Sequence, residues 1–143
     1  AMIPATRKEL EKAFRKHLHA IRTVNEQHMN ISYKLLLFYA VECGLKVLIL
    51  KKIIGKTTDN ILKHNELGPK LGGSRGHDLK VYLNFLNYPR YKLQNLPCKN
   101  GTQASVKDYN QVWRYGIEIE NQIVENEVVR ELRKIAEWIE GEI

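Results

Sequence analysis

The sequence predicts an all-α fold, an antiparallel up-and-down bundle of four to five helices. Three observations carry that prediction. The stretch Ile31–Lys52, ISYKLLLFYAVECGLKVLILKK, is about twenty mostly apolar residues, longer than strands normally run. Near the C-terminus the final helix carries Ile117 and then Val124, Val128, Leu132, Ile135 and Ile139, these last five spaced four, four, three and four, an amphipathic helical stripe. No segment reads convincingly as a strand, and there is no internal repeat.

Thr6 with Glu9 forms a capping box, T-R-K-E, that starts a first helix near Arg7. Leu10, Phe14, Leu18, Ile21 and Val24 then recur at helical spacing and predict a helix to about Asn30, antiparallel to the apolar stretch. Its exposed face is basic, with Arg7, Lys8, Lys12, Arg15, Lys16 and Arg22. The apolar stretch carries Lys34, Glu42 and Lys46, too many charges for a membrane span. It therefore reads as a long helix buried on most of its circumference. Gly44 costs a helix about 1 kcal/mol relative to Ala, so another helix is expected to come close there. Gly55 is the expected C-cap.

Residues 56–66 predict a short helix capped by Thr58 or Asp59. Residues 67–77 predict a long flexible loop, because GPKLGGSRGHD holds four glycines and a proline. Asp78 caps the next helix, LKVYLNFLNY, which Pro89 ends. Residues 89–104 read as an irregular connection. Ser105 with Asp108 opens a helix that Gly116 kinks or ends, before the final amphipathic helix.

At 143 residues the chain has the length of a single domain. With 43% hydrophobic and 27% charged residues it is globular rather than disordered. Twenty-three basic against sixteen acidic residues give +7, which suits a polyanionic partner, RNA or DNA first. Cys43 and Cys98 form no CxxC and no disulfide framework, and the N-terminus has no signal-peptide pattern. A reducing, cytoplasmic setting without a membrane is expected.

Several side chains are candidates for chemistry. His77 stands at a loop-to-helix junction two residues after Arg75, so both could face one phosphate beside exposed helix N–H groups. Histidine is the natural base for removing a 2′-hydroxyl proton. The alternative is that His77 and Asp78 simply form a turn and a cap. Arg114 and Tyr115 offer a cation and an aromatic face to a nucleotide. Alternatively Trp113 and Tyr115 are core and interface residues, and Arg114 pairs with Glu118. Glu42 and Lys46, four apart, suggest a polar pocket between helices that Arg114 reaches, or a structural buried ion pair. Arg22 and His28 are six apart and fall on opposed faces of a helix, and His17 and His19 diverge, which argues against a zinc pair. No HExxH, P-loop or GxSxG occurs, and no cofactor is implied.

AVECGLKVLI at 40–49, GHDL at 76–79 and WRY at 113–115 together resemble the HEPN domain family. The resemblance implies an antiparallel helical bundle, often dimeric, that binds RNA or a nucleotide. It also implies roles in RNA processing, toxin–antitoxin systems or antiviral defence, frequently beside a nucleotidyltransferase partner. Ribonuclease members carry Arg, four to six residues, then His in a late helix. Here Arg114 is followed at those distances by Ile119, Glu120 and Asn121. The expectation is a HEPN-like domain that binds RNA or a nucleotide through Lys46, Arg75, His77, Arg114 and Tyr115. If it is an enzyme, it is a metal-independent ribonuclease with His77 and Arg114 catalytic. The alternative is a non-catalytic dimerisation or interaction bundle that docks a partner enzyme.

Overall fold

The computed structural model describes residues 3–143, apart from the side chain of Ser74. Helix α1 (Arg7–Ile21) begins on the expected capping box. Glu9 N–H donates to Thr6 Oγ1 at 3.1 Å, and Thr6 N–H donates to Glu9 Oε1 at 2.9 Å. It stops well short of Asn30, because two asparagines draw backbone N–H groups out of the helix. Asn25 accepts from His28 N–H and caps a 3-10 turn at Glu26–His28, and Asn30 accepts from Tyr33 N–H and opens the next helix.

That helix, α2 (Ile31–Ile53), is the predicted central rod. Leu37, Phe38, Ala40, Val41, Leu45, Val47, Ile49 and Leu50 have no exposed surface. Gly44 sits where two helices cross. A Cβ there would lie 2.6 Å from Ile139 Cγ2 and 2.8 Å from Phe14 Cδ1. The return of α1 to the far end of α2 is fixed by a bridge between Thr6 and Thr57 and by Arg7 N–H on Lys56 O at 3.2 Å. These two helices are therefore antiparallel.

The end of α2 departs from expectation. The left-handed residue is Ile54 (φ 55°), 91% exposed, rather than Gly55. Gly55 serves space instead, because a Cβ there would meet Leu50 Cδ2 and Asn60 Cβ, each at 2.9 Å. Helix α3 (Thr58–Leu62) follows with Thr57, not Thr58 or Asp59, as its N-cap residue. Asn60 Oδ1 draws in the backbone N–H groups of Lys56 and Thr57.

The predicted loop at 67–77 is largely folded. It forms helix α4 (Leu67–Lys70) and a 3-10 turn at Gly73–His77, held by the buried side chains of Leu67 and Leu71. Helix α5 (Leu79–Phe85) starts with Lys80 N–H on Asp78 Oδ1 at 3.2 Å. It ends before Pro89, where Asn87 takes the left-handed conformation (φ 57°). The connection 89–104 is irregular as expected, except that β1 (Leu96–Pro97) pairs antiparallel with β2 (Gln103–Ala104). A 3-10 turn at Val106–Asp108 leads into α6 (Tyr109–Tyr115), which Gly116 (φ 64°) ends. Helix α7 (Gln122–Glu142) is capped by the Asn121 side chain.

The result is the all-α class that the sequence predicts, with five longer helices and two short ones among the described residues. α2 contacts α1, α3, α5, α6 and α7, and the buried residues form one continuous core. α7 lies along α2 in the same direction, tied by Lys34–Glu125 at one end and by Lys51 Nζ on Glu142 O at the other. The Lys34–Glu125 pair (3.1 Å) is almost fully buried, and Glu125 also accepts from Trp113 Nε1 (2.9 Å) and Gln122 Nε2 (2.9 Å). One carboxylate thus joins α2, α6 and α7.

Candidate functional site

A second polar cluster lies further along α2. Glu42 and Lys46 are one helical turn apart and pair at 3.4 Å, as the spacing predicts. Glu42 is buried, whereas the Lys46 side chain stays 17% exposed. The partner on Glu42's other oxygen comes from 35 residues away. His77 Nδ1 lies 2.6 Å from Glu42 Oε1. The chain presents His77 here because it closes the 3-10 turn, while Asp78 caps α5 directly behind it. Tyr82, one turn into α5, donates its hydroxyl to Gly76 O at 2.6 Å and pins the turn. Phe38 packs beside the imidazole, with ring centroids 6.5 Å apart.

Lys46, His77, Gly76 and Tyr82 of this cluster border a cavity of about 310 Å³. Lys46, His77, Lys107 and Gln111 give it polar walls, and Ile61, Leu62 and Tyr82 give it an apolar side. Thr58 also lines it while accepting a hydrogen bond from Ala5 N–H, which ties the entry to α1 into the wall. Lys107 is held in place by Asp108 at 2.9 Å.

The electrostatics of Glu42 decide what this cluster can do. Burial alone would raise its pKa. The hydrogen bond from His77 and the charge of Lys46 more than offset burial, so the net shift is downward and Glu42 is a carboxylate. The carboxylate takes the Nδ1–H of His77, which leaves Nε2 as the free ring nitrogen. In the neutral imidazole Nε2 is a proton acceptor, and in the charged form it is a donor. Burial, then the nearby Glu42 charge, pushes the Cys43 thiol up to about 11, so it remains a thiol. Burial, then Glu42 and Asp78, likewise push the Tyr82 phenol up. Tyr82 is thus a hydrogen-bond donor rather than an acid at this site. Among the described residues no group of three His, Cys, Asp or Glu is placed to hold a metal ion, and no helix is long and apolar enough to cross a membrane.

The other candidates lie elsewhere. Arg75 is exposed and folds back on its own loop, with hydrogen bonds to Gly72 O and Pro69 O, and it does not line the cavity. The expected Arg75–His77 pairing on one phosphate is therefore not built. Arg114 neither reaches Glu42 nor pairs with Glu118. Its Nη2 donates to Tyr39 Oη at 2.5 Å, while Glu118 faces Lys99. Trp113 is core, but Tyr115 is 67% exposed. Arg22 and His28 do not share a helix, and Arg22 pairs with Glu140. Sequence reasoning missed Tyr39, Tyr82, Lys107 and Gln111. For Tyr82 a signal existed, since a tyrosine one turn after a capping aspartate stands on the same side as the turn before it. The others are joined only by tertiary packing.

Fold and site together define an all-α bundle whose carboxylate–histidine–lysine cluster opens on a small half-polar cavity. Neither a protein-family model, nor a curated protein, nor a solved structure matches this chain.

Proposed function

We propose that this chain is a HEPN-like domain that binds the phosphate of RNA or a nucleotide in the cavity beside Glu42, Lys46 and His77. The observation that carries the reading is convergence. Glu42 and Lys46 come from one of the resembling motifs and His77 from another, and all three meet around one carboxylate. Lys46 and Lys107 supply ammonium donors for an anion, and the apolar wall of Ile61, Leu62 and Tyr82 suits a base or sugar. The net charge of +7 favours the same partner. The defence or toxin–antitoxin setting rests on the resemblance alone.

The test is binding of labelled single-stranded RNA and of AMP in EDTA across a salt series, with Lys46→Ala and His77→Ala beside wild type. Affinity is expected to fall with salt, and about tenfold or more in Lys46→Ala, the loss of one hydrogen bond to a charged group. Affinity that is flat with salt and equal in both variants would sink the reading. The same gels report cleavage. Products that survive EDTA and vanish in His77→Ala would assign His77 as a base whose ring Glu42 orients.

A second reading, a homodimerising or partner-docking bundle, is favoured by a different observation. Ile31, Tyr115 and Ile123 are 46%, 67% and 69% exposed. They sit at the start of α2, the end of α6 and the start of α7, which Glu125 holds together. Light scattering of wild type and of Tyr115→Glu/Ile123→Glu tests it. Two monomers of equal mass would argue against self-association.

A further inference from the structure

We propose that Tyr39, His17 and Arg114 form a stacking platform for the neighbouring nucleotide of a single strand whose phosphate occupies the cavity. The inference rests on the phosphate reading above and adds a second subsite to it. At about 310 Å³ the cavity lies at the lower end of small-molecule sites, roughly 300–1,000 Å³. It has room for one nucleotide, so a longer strand must leave it along the surface.

Helix α2 offers one way out. Among its partly buried residues, Leu35, Tyr39, Cys43 and Lys46 are spaced four, four and three, and so form a single stripe. From Lys46 at the cavity to Tyr39 the stripe covers about 10 Å, at 1.5 Å per residue. At Tyr39 it is flanked from both sides. His17 of α1 stands with its ring centroid 6.5 Å from that of Tyr39, tilted 45°. Arg114 of α6 donates to the Tyr39 hydroxyl, and its guanidinium, which Tyr115 also contacts, is exposed to solvent. The exposed Lys16 adds charge beside His17. Phe38 and Ala40, on either side of Tyr39, have no exposed surface, whereas Tyr39 keeps part of its surface open. Aromatic faces and an arginine plane beside a cationic site are how single strands are held without sequence reading. The stripe thus gives Arg114 a role in binding that does not require it to approach His77.

The experiment compares AMP, ApA and a longer oligo(A) RNA by titration against wild type, Tyr39→Leu, Tyr39→Phe, Arg114→Gln and Lys46→Ala. The readout is the ratio of oligonucleotide to AMP affinity. Wild type is expected to prefer the oligonucleotide by roughly tenfold or more, the contribution of one stacked base. Tyr39→Leu should bring the ratio close to one, and Arg114→Gln should lower it. Tyr39→Phe keeps the ring and should keep the ratio, which a merely structural Tyr39–Arg114 hydrogen bond would not allow. An oligonucleotide that binds wild type no tighter than AMP overturns the platform, as does a ratio that survives in Tyr39→Leu. AMP affinity that ignores Lys46→Ala overturns the cavity reading itself, and the platform with it.

Discussion

Helix α2 carries two Glu–Lys contacts with opposite surroundings. Lys34 meets Glu125 where α2, α6 and α7 come together, with side chains 8% and 6% exposed, and every oxygen of the carboxylate has a protein donor. Lys46 meets Glu42 beside a cavity, where Lys46 is 17% and His77 44% exposed. Residue types and distances are nearly the same. What differs is the far side of each cation. Behind Lys34 there is only protein, so its charge is spent on holding three helices together. Behind Lys46 there is space, so its charge remains available to an anion. A buried ion pair is weak evidence for function, and here the open side is what separates the two.

The comparison can be broken most severely at the closed pair. Glu125→Ala leaves Lys34 and the Trp113 N–H buried without a partner, and should lower the unfolding free energy by about 3–5 kcal/mol. Lys34→Met/Glu125→Leu should recover the part of that loss due to the buried lysine in denaturant melts, because no uncompensated charge remains while the Trp113 N–H stays unpaired. A single variant as stable as wild type would mean that the pair holds nothing. At the open pair the cost should be smaller. Glu42→Ala is expected to lose about 1–3 kcal/mol, since Lys46 and His77 can turn to water. A loss as large as that of Glu125→Ala would erase the distinction.

Acid sharpens the contrast. Folding lowers the Glu42 pKa, so its charged form contributes stability above the ordinary glutamate value of about 4.3. That contribution fades as pH falls through the lower folded value. The stability gap between wild type and Glu42→Gln should therefore shrink on acidification below pH 4. A constant gap would remove the charge from the account. The smallest expected effect lies away from both pairs. Thr6→Ala breaks the cap of α1 and should cost about 1 kcal/mol, with phosphate affinity unchanged.

Local chemistry was legible in the sequence, and long-range pairing was not. The capping box at Thr6 and Glu9, the stop at Gly116 and the close approach at Gly44 are each dictated by a few neighbouring residues, and each is where the pattern placed it. The pairing of Glu42 with Lys46 followed from helical spacing. The end of α1 was misread because Val24 continued the apolar spacing while Asn25 and Asn30 carried the stronger capping signal. The loop at 67–77 was misread because glycine density outweighed Leu67 and Leu71, whose burial folds it. His77 was picked out by its place before a helix. Its bond to Glu42 spans 35 residues, and Arg114's to Tyr39 spans 75, and neither leaves a mark in spacing.

Ile54 closes the central helix in a left-handed conformation that costs a branched side chain about 1–2 kcal/mol, while 91% of its surface faces solvent. Its side chain therefore gives up little if it is replaced. Ile54→Asn, which tolerates that conformation, should gain about 1 kcal/mol and raise the melting temperature by roughly 3 °C. The bundle thus carries a repairable flaw at the end of its best-packed element. That repair offers a background that offsets part of the loss in moderately weakened variants such as Glu42→Ala.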